Sequence, residues 1–376
     1  MDTILPDTLS TLSVSPFSQP DNPIIAVGTF DFHQNSIKII SNSSHPSGSP
    51  TPNGNTTQAK HPLPFPATAL EFAPTPLTSS LQATHLPEHS RQILASTSDS
   101  LRLFEVNGPE VIQRANFVNV KDNRTAPLTG LDWSKLEPTK IVTCSIDTTC
   151  SVWDTASQSV ITQLIAHDRA VYSVKWAPDN TNNFASVGAD GSLRLFDLRS
   201  LDHSTILFDS NNAPNSGSTA APPPAPVPNG GRPSGSLLRL AFSPTNPLYI
   251  GIIQSHSSSL GIVDVRMPGV MVMHLNGHRG AVNGLCWKPP MPSSGNTVER
   301  TPGMGRLMTC SEDYTALLWD ISQHNTPPLK SAPPVVNPDS YYIGGGEIID
   351  IVWETESVAL LERVQTGGTR IRTVKF

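Results

Sequence analysis

Two cysteines, an aspartate between them and a second aspartate after a tryptophan crowd into CSIDTTCSVWD (144–154). Thiolates and carboxylates can ligate a metal or serve a nucleophilic reaction. A second set of reactive types is more dispersed: His278 in NGHRGAVNGLCW, a Ser or Thr near 309–311, Asp313 and Trp319. Ser, His and Asp together can activate a hydroxyl. Upstream, His167 in IAHDRAVYSVKW, Ser186 and Asp190 repeat the pattern, with Phe196 where Trp319 would stand. One chain has little use for the same nucleophile twice, so recurrence argues for structure over catalysis. The cysteines follow suit. Cys144 and Cys310 each stand three residues before an aspartate, Asp147 and Asp313, and Cys286 adjoins Trp287. Zinc would call for paired short spacings and four convergent ligands, whereas small, semi-apolar Cys packs well between sheets. No glycine-rich phosphate loop is present. The expectation is no catalytic residue, no cofactor and no metal.

The elements that must hold these residues are read from the rest of the 376 residues. Hydrophobic residues make up 37% and charged ones 15%, with net charge −6. Proteins that read nucleic acid through phosphates carry a basic footprint, which this chain lacks. Four scattered cysteines suit a reducing compartment. MDTILPDTLSTLSVSP has neither the basic start nor the apolar run of a signal peptide, and nothing approaches a membrane-spanning length. A soluble, intracellular protein is expected. The 36 prolines exceed the usual ~5% and concentrate outside the apolar segments. Segments 41–66, 209–235 and 288–303 are rich in Pro, Ser, Asn and Gly and read as flexible surface insertions.

An internal repeat organises what remains. Trp133, Trp176, Trp287 and Trp353 each end an apolar alternation (TGLDW, YSVKW, NGLCW, IDIVW), while Trp153 and Trp319 each precede Asp. Trp133 to Trp153 is 20 residues, as is Trp176 to Phe196 in LRLFD. Paired registers follow at 17–40, 72–104, 133–153, 176–196, 242–263, 287–319 and 353–374, seven in all. Between them ILASTSD, IVTCSID, FASVGAD and LMTCSED place small residues before Asp99, Asp147, Asp190 and Asp313. Alternation, a tight acidic turn and renewed alternation spell strand–turn–strand.

This pattern resembles the WD40 repeat family over nearly the whole chain. The resemblance implies an all-β fold: a seven-bladed propeller of four-stranded blades around a central channel, one domain over 1–376. The chain ends on what reads as the third strand of the last blade, so the residues before Phe17 should supply its fourth, although Pro6 lacks a ladder donor. The resemblance also implies a role for the recurring sets. Trp, Ser or Thr, His and Asp form a buried hydrogen-bonded chain in such blades, assigned here to His278, Asp313 and Trp319, to His167, Ser186 and Asp190, and to Asp147 and Trp153. Phe196 has no indole donor, so its blade should hold a weaker chain.

Two segments are more specific. FASVGADGSLRLFDLR (184–199) and GIVDVR (261–266) both end in Asp-x-Arg. This resembles the motif by which WD-repeat substrate receptors engage the adaptor of cullin-4 ubiquitin ligases, although that pattern has Trp where this chain has Phe196 and Val263. Asp197, Arg199, Asp264 and Arg266 are the candidates; the alternative is a turn-ordering Asp beside a solvated Arg. APLTGLDW, CSIDTTCSVWD, TQLIAHDRAVYSV, FASVGADGSLRLFDLRSLDHSTIL and LNGHRGAVNGLCW resemble the subfamily of transparent-testa-glabra regulators and DYRK-kinase-binding, cullin-4-associated WD-repeat proteins. That resemblance implies a monomeric, non-enzymatic scaffold working in nucleus and cytoplasm. Its partners would be kinases of DYRK and HIPK type, transcription factors of MYB and bHLH type, and the cullin-4 ligase adaptor, with no membrane or direct nucleic-acid contact. Asp168, Arg169 and Arg279, beside the turns, are the candidate partner contacts. The rival reading is a propeller hydrolase or lyase using the central channel.

Overall fold

The computed structural model describes residues 2–18, 23–31, 33–41, 56–75, 92–108, 110–118, 126–211, 235–290, 303–324, 333–353, 357–365 and 367–376. Their strands form seven sheets. The chain begins with β1 (Asp2–Leu5). Blade 1 is β2 (Leu9–Val14), β3 (Ile25–Thr29), β4 (Asn35–Ser41) and β5 (Thr56–Leu63). Blade 2 is β6 (Ala69–Phe72), β7 (Gln92–Thr97), β8 (Leu101–Asn107) and β9 (Glu110–Phe117). Blade 3 is β10 (Leu128–Trp133), β11 (Lys140–Ser145), β12 (Thr149–Asp154) and β13 (Ser159–Ile165). Blade 4 is β14 (Val171–Trp176), β15 (Asn183–Gly188), β16 (Ser192–Asp197) and β17 (Ser200–Asp209). Blade 5 is β18 (Leu237–Phe242), β19 (Tyr249–Gln254), β20 (Ser259–Asp264) and β21 (Met271–Asn276). Blade 6 is β22 (Val282–Trp287), β23 (Arg306–Ser311), β24 (Thr315–Asp320) and β26 (Ser340–Ile343), and its last link lays β25 (Val335–Val336) parallel along β21. Blade 7 is β27 (Ile348–Trp353), β28 (Ser357–Arg363) and β29 (Thr369–Lys375).

The innermost strands touch in cyclic order: β2, β6, β10, β14, β18, β22, β27 and β2 again. The molecule is a seven-bladed β-propeller. Its ring closes through β1, which pairs antiparallel with β29 from Asp2↔Arg372 to Leu5↔Thr369. Pro6 falls just past the last ladder pair, where its missing N–H removes nothing.

Blade stacking explains the burial along the chain. The second and third strands lie between neighbouring blades, so they are buried on both faces. β11 (KIVTCS) runs almost wholly buried, whereas outer β13 (SVITQLI) is largely exposed. Each apolar cluster spans two blades. Val142, Cys144, Cys150 and Val152 of blade 3 pack on Val174, Trp176, Phe184 and Phe196 of blade 4. Leu5, Leu361 and Ile371 pack on Leu9, Leu12 and Ile25 across the closure.

The register pairs from blade 2 onward occupy one ladder position: Trp133↔Ile141↔Trp153, Trp176↔Phe184↔Phe196 and Trp287↔Leu307↔Trp319 are examples. Blade 1 corrects the expectation. Its ladder reads Val14↔Ile25↔Ile40, and Phe17 lies in the turn beyond β2, 39% exposed. A lone aromatic drew the register three residues too far, because Val14 fills the position with an aliphatic side chain. The segment 41–66 is corrected as well: it contains β5, the outer strand of blade 1, which pairs from Asn35↔Leu63 to Ser41↔Thr56. Pro62 is tolerated there because β5 is an edge strand. Residues 42–55, most of 209–235 (212–234) and most of 288–303 (291–302) lie outside the described residues.

Candidate protein-interaction faces

In blade 6 the Trp319 indole N–H donates to Thr309 Oγ1 at 2.9 Å, and His278 Nε2 lies 2.7 Å from the same oxygen. A hydroxyl has one proton. Thr309 accepts from the indole and gives its proton to Nε2, because the Asp313 carboxylate holds the imidazole proton on Nδ1. That nitrogen faces Thr315 Oγ1 at 3.0 Å and Asp313 at 3.4 Å. Burial lowers the His278 pKa, consistent with a neutral ring. Asp313 also accepts from the Arg279 and Thr315 backbone N–H groups. Burial would raise its pKa, but hydrogen bonds from Thr315 and Arg279 hold it low. Every member is a partner to the next, and the hydroxyl is buried with its proton already committed. The chain shapes a turn.

Blade 4 repeats it with one link missing. His167 Nε2 lies 2.7 Å from Ser186 Oγ and Nδ1 3.0 Å from Asp190. Phe196 stacks on Phe184 instead of donating. Burial would raise the Asp190 pKa, but His167 and Ser192 hold it far below the carboxylate range. Blade 3 keeps only part of the chain. Trp153 donates to Thr143 Oγ1 at 2.8 Å, while exposed Asp147 accepts from Thr149 and orders its own turn.

The cysteines occupy matching places. Cys144 is opposite Gly130 and Cys310 opposite Gly284. A Cβ on either glycine would sit 3.2 and 3.0 Å from the facing sulfur, so each thiol fills the space a glycine leaves. Burial pushes the Cys144 pKa to about 12 and raises those of Cys150, Cys286 and Cys310. Such thiols supply little thiolate. Among the described residues no three His, Cys, Asp or Glu gather so as to hold a metal.

The two Asp-x-Arg turns lie at the other end of the blades, where β16 passes to β17 and β20 to β21. Arg199 Nε and Nη2 bind Asp197 at 2.9 and 2.6 Å, and the Arg199 backbone N–H binds it too. Arg266 grips Asp264 in the same way, at 3.0 and 2.7 Å. Asp264 is fully buried, and Arg266 also reaches the Tyr249 hydroxyl and ring. The arginine side chains remain 67% and 53% exposed. The Arg199 hydrogen bonds pull the Asp197 pKa down to about 2. Turn ordering and arginine display are therefore one geometry. At the opposite end, exposed Asp168 binds Arg194 at 2.9 Å, Arg169 is exposed, and Arg279 is exposed with its backbone tied to Asp313.

The model of the WD domain, G-beta repeat, matches residues 118–154, 158–197 and 269–320. A DDB1- and CUL4-associated factor 7 homolog of Dictyostelium discoideum is 35% identical over 285 residues, covering 75% of each chain. This chain belongs to the WD-repeat family. WD repeat-containing proteins of Schizosaccharomyces pombe and Saccharomyces cerevisiae are 38% and 36% identical, over 72% and 61% of this chain. The chain spans 58% and 45% of those two relatives' lengths. The WD repeat is offset from the blade by one strand. Residues 158–197 hold the outer strand of blade 3 and the first three strands of blade 4. That offset locks successive blades together and leaves the last blade to be completed from the N-terminal side.

A second lock in this WD-repeat protein escaped the sequence reading. On three innermost strands, β2, β6 and β10, the residue just before the register residue reaches to the next blade. Ser13 accepts the Phe72 N–H at 3.2 Å, Glu71 the Trp133 N–H at 3.1 Å and Asp132 the Trp176 N–H at 2.8 Å. Lys175 then closes on Asp132 at 2.6 Å. The available signal was a charged residue before the register aromatic in LEF, LDW and VKW. Burial, reinforced by Asp132, raises the Glu71 pKa from 4.5 to about 7, against the pull of Lys175 and Lys135. Since the folded value exceeds the unfolded one, ionisation opposes folding. Glu71's share of stability is full below about 4.5 and falls as pH rises through about 7. Glu71→Gln keeps an acceptor for Trp133 without the charge. It is expected to be more stable than the parent at pH 8, by roughly 1–3 kcal/mol after discounting for channel solvent, and to lose that advantage by pH 5. Denaturant titrations at the two pH values check this; a pH-independent difference would refute it.

Proposed function

We propose that this WD-repeat protein is a non-enzymatic scaffold whose two faces hold different proteins together. One face docks on the adaptor of a cullin-4 ubiquitin ligase through Arg199 and Arg266. The other, around Asp168, Arg169 and Arg279, takes a kinase of DYRK or HIPK type or a transcription factor. Joining them raises the effective concentration of one partner at the other, in nucleus and cytoplasm. The carrying observation is the pair of Asp-x-Arg turns in adjacent blades, each guanidinium exposed yet clamped by its own aspartate. Clamping settles the rotamer before contact, so less ordering entropy is lost on binding, and Arg is favoured in interface hot spots. The Dictyostelium relative, named for association with DDB1 and CUL4, supports the same reading. Non-enzymatic action is supported by the committed hydroxyls, the protonated thiols and the channel carboxylates Glu71 and Asp132, which are engaged by backbone N–H groups.

The test is capture of purified adaptor by the Arg199→Glu/Arg266→Glu double variant. Capture is expected to fall at least about tenfold, because buried or clamped interface charges of the wrong sign cost several kcal/mol. Arg199→Glu faces a partly exposed Asp197, whereas Arg266→Glu sets a second carboxylate beside the buried Asp264, so Arg199→Glu alone and Arg266→Ala are assayed alongside, with circular dichroism showing each variant folded. Unaltered capture would sink the adaptor reading while leaving the kinase face to be probed with Arg169→Glu/Arg279→Glu.

A further inference from the structure

Opposite the Asp-x-Arg turns, a cleft of about 570 Å³ opens between blades 6 and 7, lined by Glu312, Tyr314, Gly346, Glu347, Arg363 and Gln365 among others. Its most unusual member is Tyr314. In three equivalent turns the residue after the aspartate takes a left-handed backbone: Thr148 (φ 77°), Gly191 (φ 80°) and Tyr314 (φ 69°). Glycine, as in blade 4, adopts this conformation freely; for a bulky residue it is an outlier with a local energetic cost. The fold uses Tyr314 through its backbone, whose carbonyl accepts the Gly344 N–H at 2.7 Å, and any residue supplies a carbonyl. Tyr314 as a residue stays 41% exposed, and its side chain lines the cleft. The charged lining is two glutamates and one arginine, −1 in sum, and the Arg363 guanidinium is turned onto Glu347 at 2.8 Å. An aromatic face beside surplus carboxylate is complementary to a flat cation.

We propose that this cleft receives an arginine side chain presented by a partner protein, its guanidinium stacked on Tyr314 and paired with Glu312. Arginine fits better than lysine because a planar fork can stack on a ring and pair with a carboxylate at once. The inference rests on the scaffold reading only in taking the ligand to be a protein. It needs nothing from the adaptor face.

The probe is a fluorescent five-residue peptide, Gly-Gly-Arg-Gly-Gly, with lysine and citrulline versions, titrated into the full chain by anisotropy. The arginine peptide should bind about tenfold more tightly than the lysine one, the citrulline peptide not measurably, and binding should weaken with salt. Tyr314→Gly should weaken arginine-peptide binding at least about tenfold while its melting temperature stays the same or rises, since the strained position is relieved. Glu312→Gln should weaken binding with no change in melting temperature. Equal binding of arginine and citrulline peptides, or full binding by Tyr314→Gly, would overturn the proposal. So would a melting temperature several degrees lower for Tyr314→Gly, which would make the ring structural. Arg199→Glu/Arg266→Glu should bind the peptide as the parent does. Loss of adaptor capture in that variant is thus separable from failure at the cleft.

Discussion

Thr309→Val is expected to lower the unfolding free energy by roughly 2–4 kcal/mol, the penalty for leaving two buried polar groups without partners. Valine matches threonine in shape, so packing is preserved and the loss isolates the hydroxyl. That hydroxyl accepts from the Trp319 indole and is the contact for His278 Nε2, and Thr309 and Trp319 have no solvent exposure to compensate. Ser186→Ala in blade 4 provides an internal control. Phe196 has no donor to orphan, so His167 Nε2 loses its contact and the Cys150 thiol a weak one, and a cost of roughly half that of Thr309→Val is expected. Equilibrium denaturation of the two variants measures the difference. Equal costs would mean that the indole contributes nothing to the chain, and the account of blade 6 would fail.

Removing residues 2–5 is the second large change. β1 completes blade 7, and its loss exposes the edge of β29, the packing of Leu5 on Leu9, Leu361 and Ile371, and the ion pair of Asp2 with Arg372. Burial of one leucine and a short ladder together amount to about 3 kcal/mol after ordering costs. For a chain of 376 residues that corresponds to a fall in melting temperature of roughly 4–5 °C. An open, apolar-flanked edge also invites strand pairing between molecules, so the truncated protein should form dimers or aggregates by light scattering at concentrations where the parent is monodisperse. A truncated chain that melts with the parent would show that the ring does not depend on β1 for closure.

Both predictions concern contacts that differ in how far they could be read from the residues. The Trp–Thr–His–Asp set was legible because its members recur at fixed steps from a tryptophan, and recurrence is visible without knowing the fold. The Asp-x-Arg turns were legible as motifs, but not the clamp that unites turn ordering with display. The stitches from Glu71 to Trp133 and from Asp132 to Trp176 span 62 and 44 residues. No local period links such pairs, so they escaped the reading. Phe17 misled for a related reason: residue type marked the register, whereas the ladder position belongs to Val14.

CSIDTTCSVWD illustrates the division. Strand alternation and the tight turn at Asp147 are properties of neighbours in the chain, so the residues alone determined β11, the turn and β12, and through seven such units the propeller. Whether Cys144 is a ligand or a packing group depends on what faces it, and only the tertiary structure supplied Gly130 opposite and the walls of blade 4 around it. The same holds for ring closure by β1, for the carboxylates joining blades and for the cleft beside Tyr314. Backbone periodicity is a short-range consequence of sequence, whereas burial, charge pairing and cavity shape arise between segments that meet only when the ring closes.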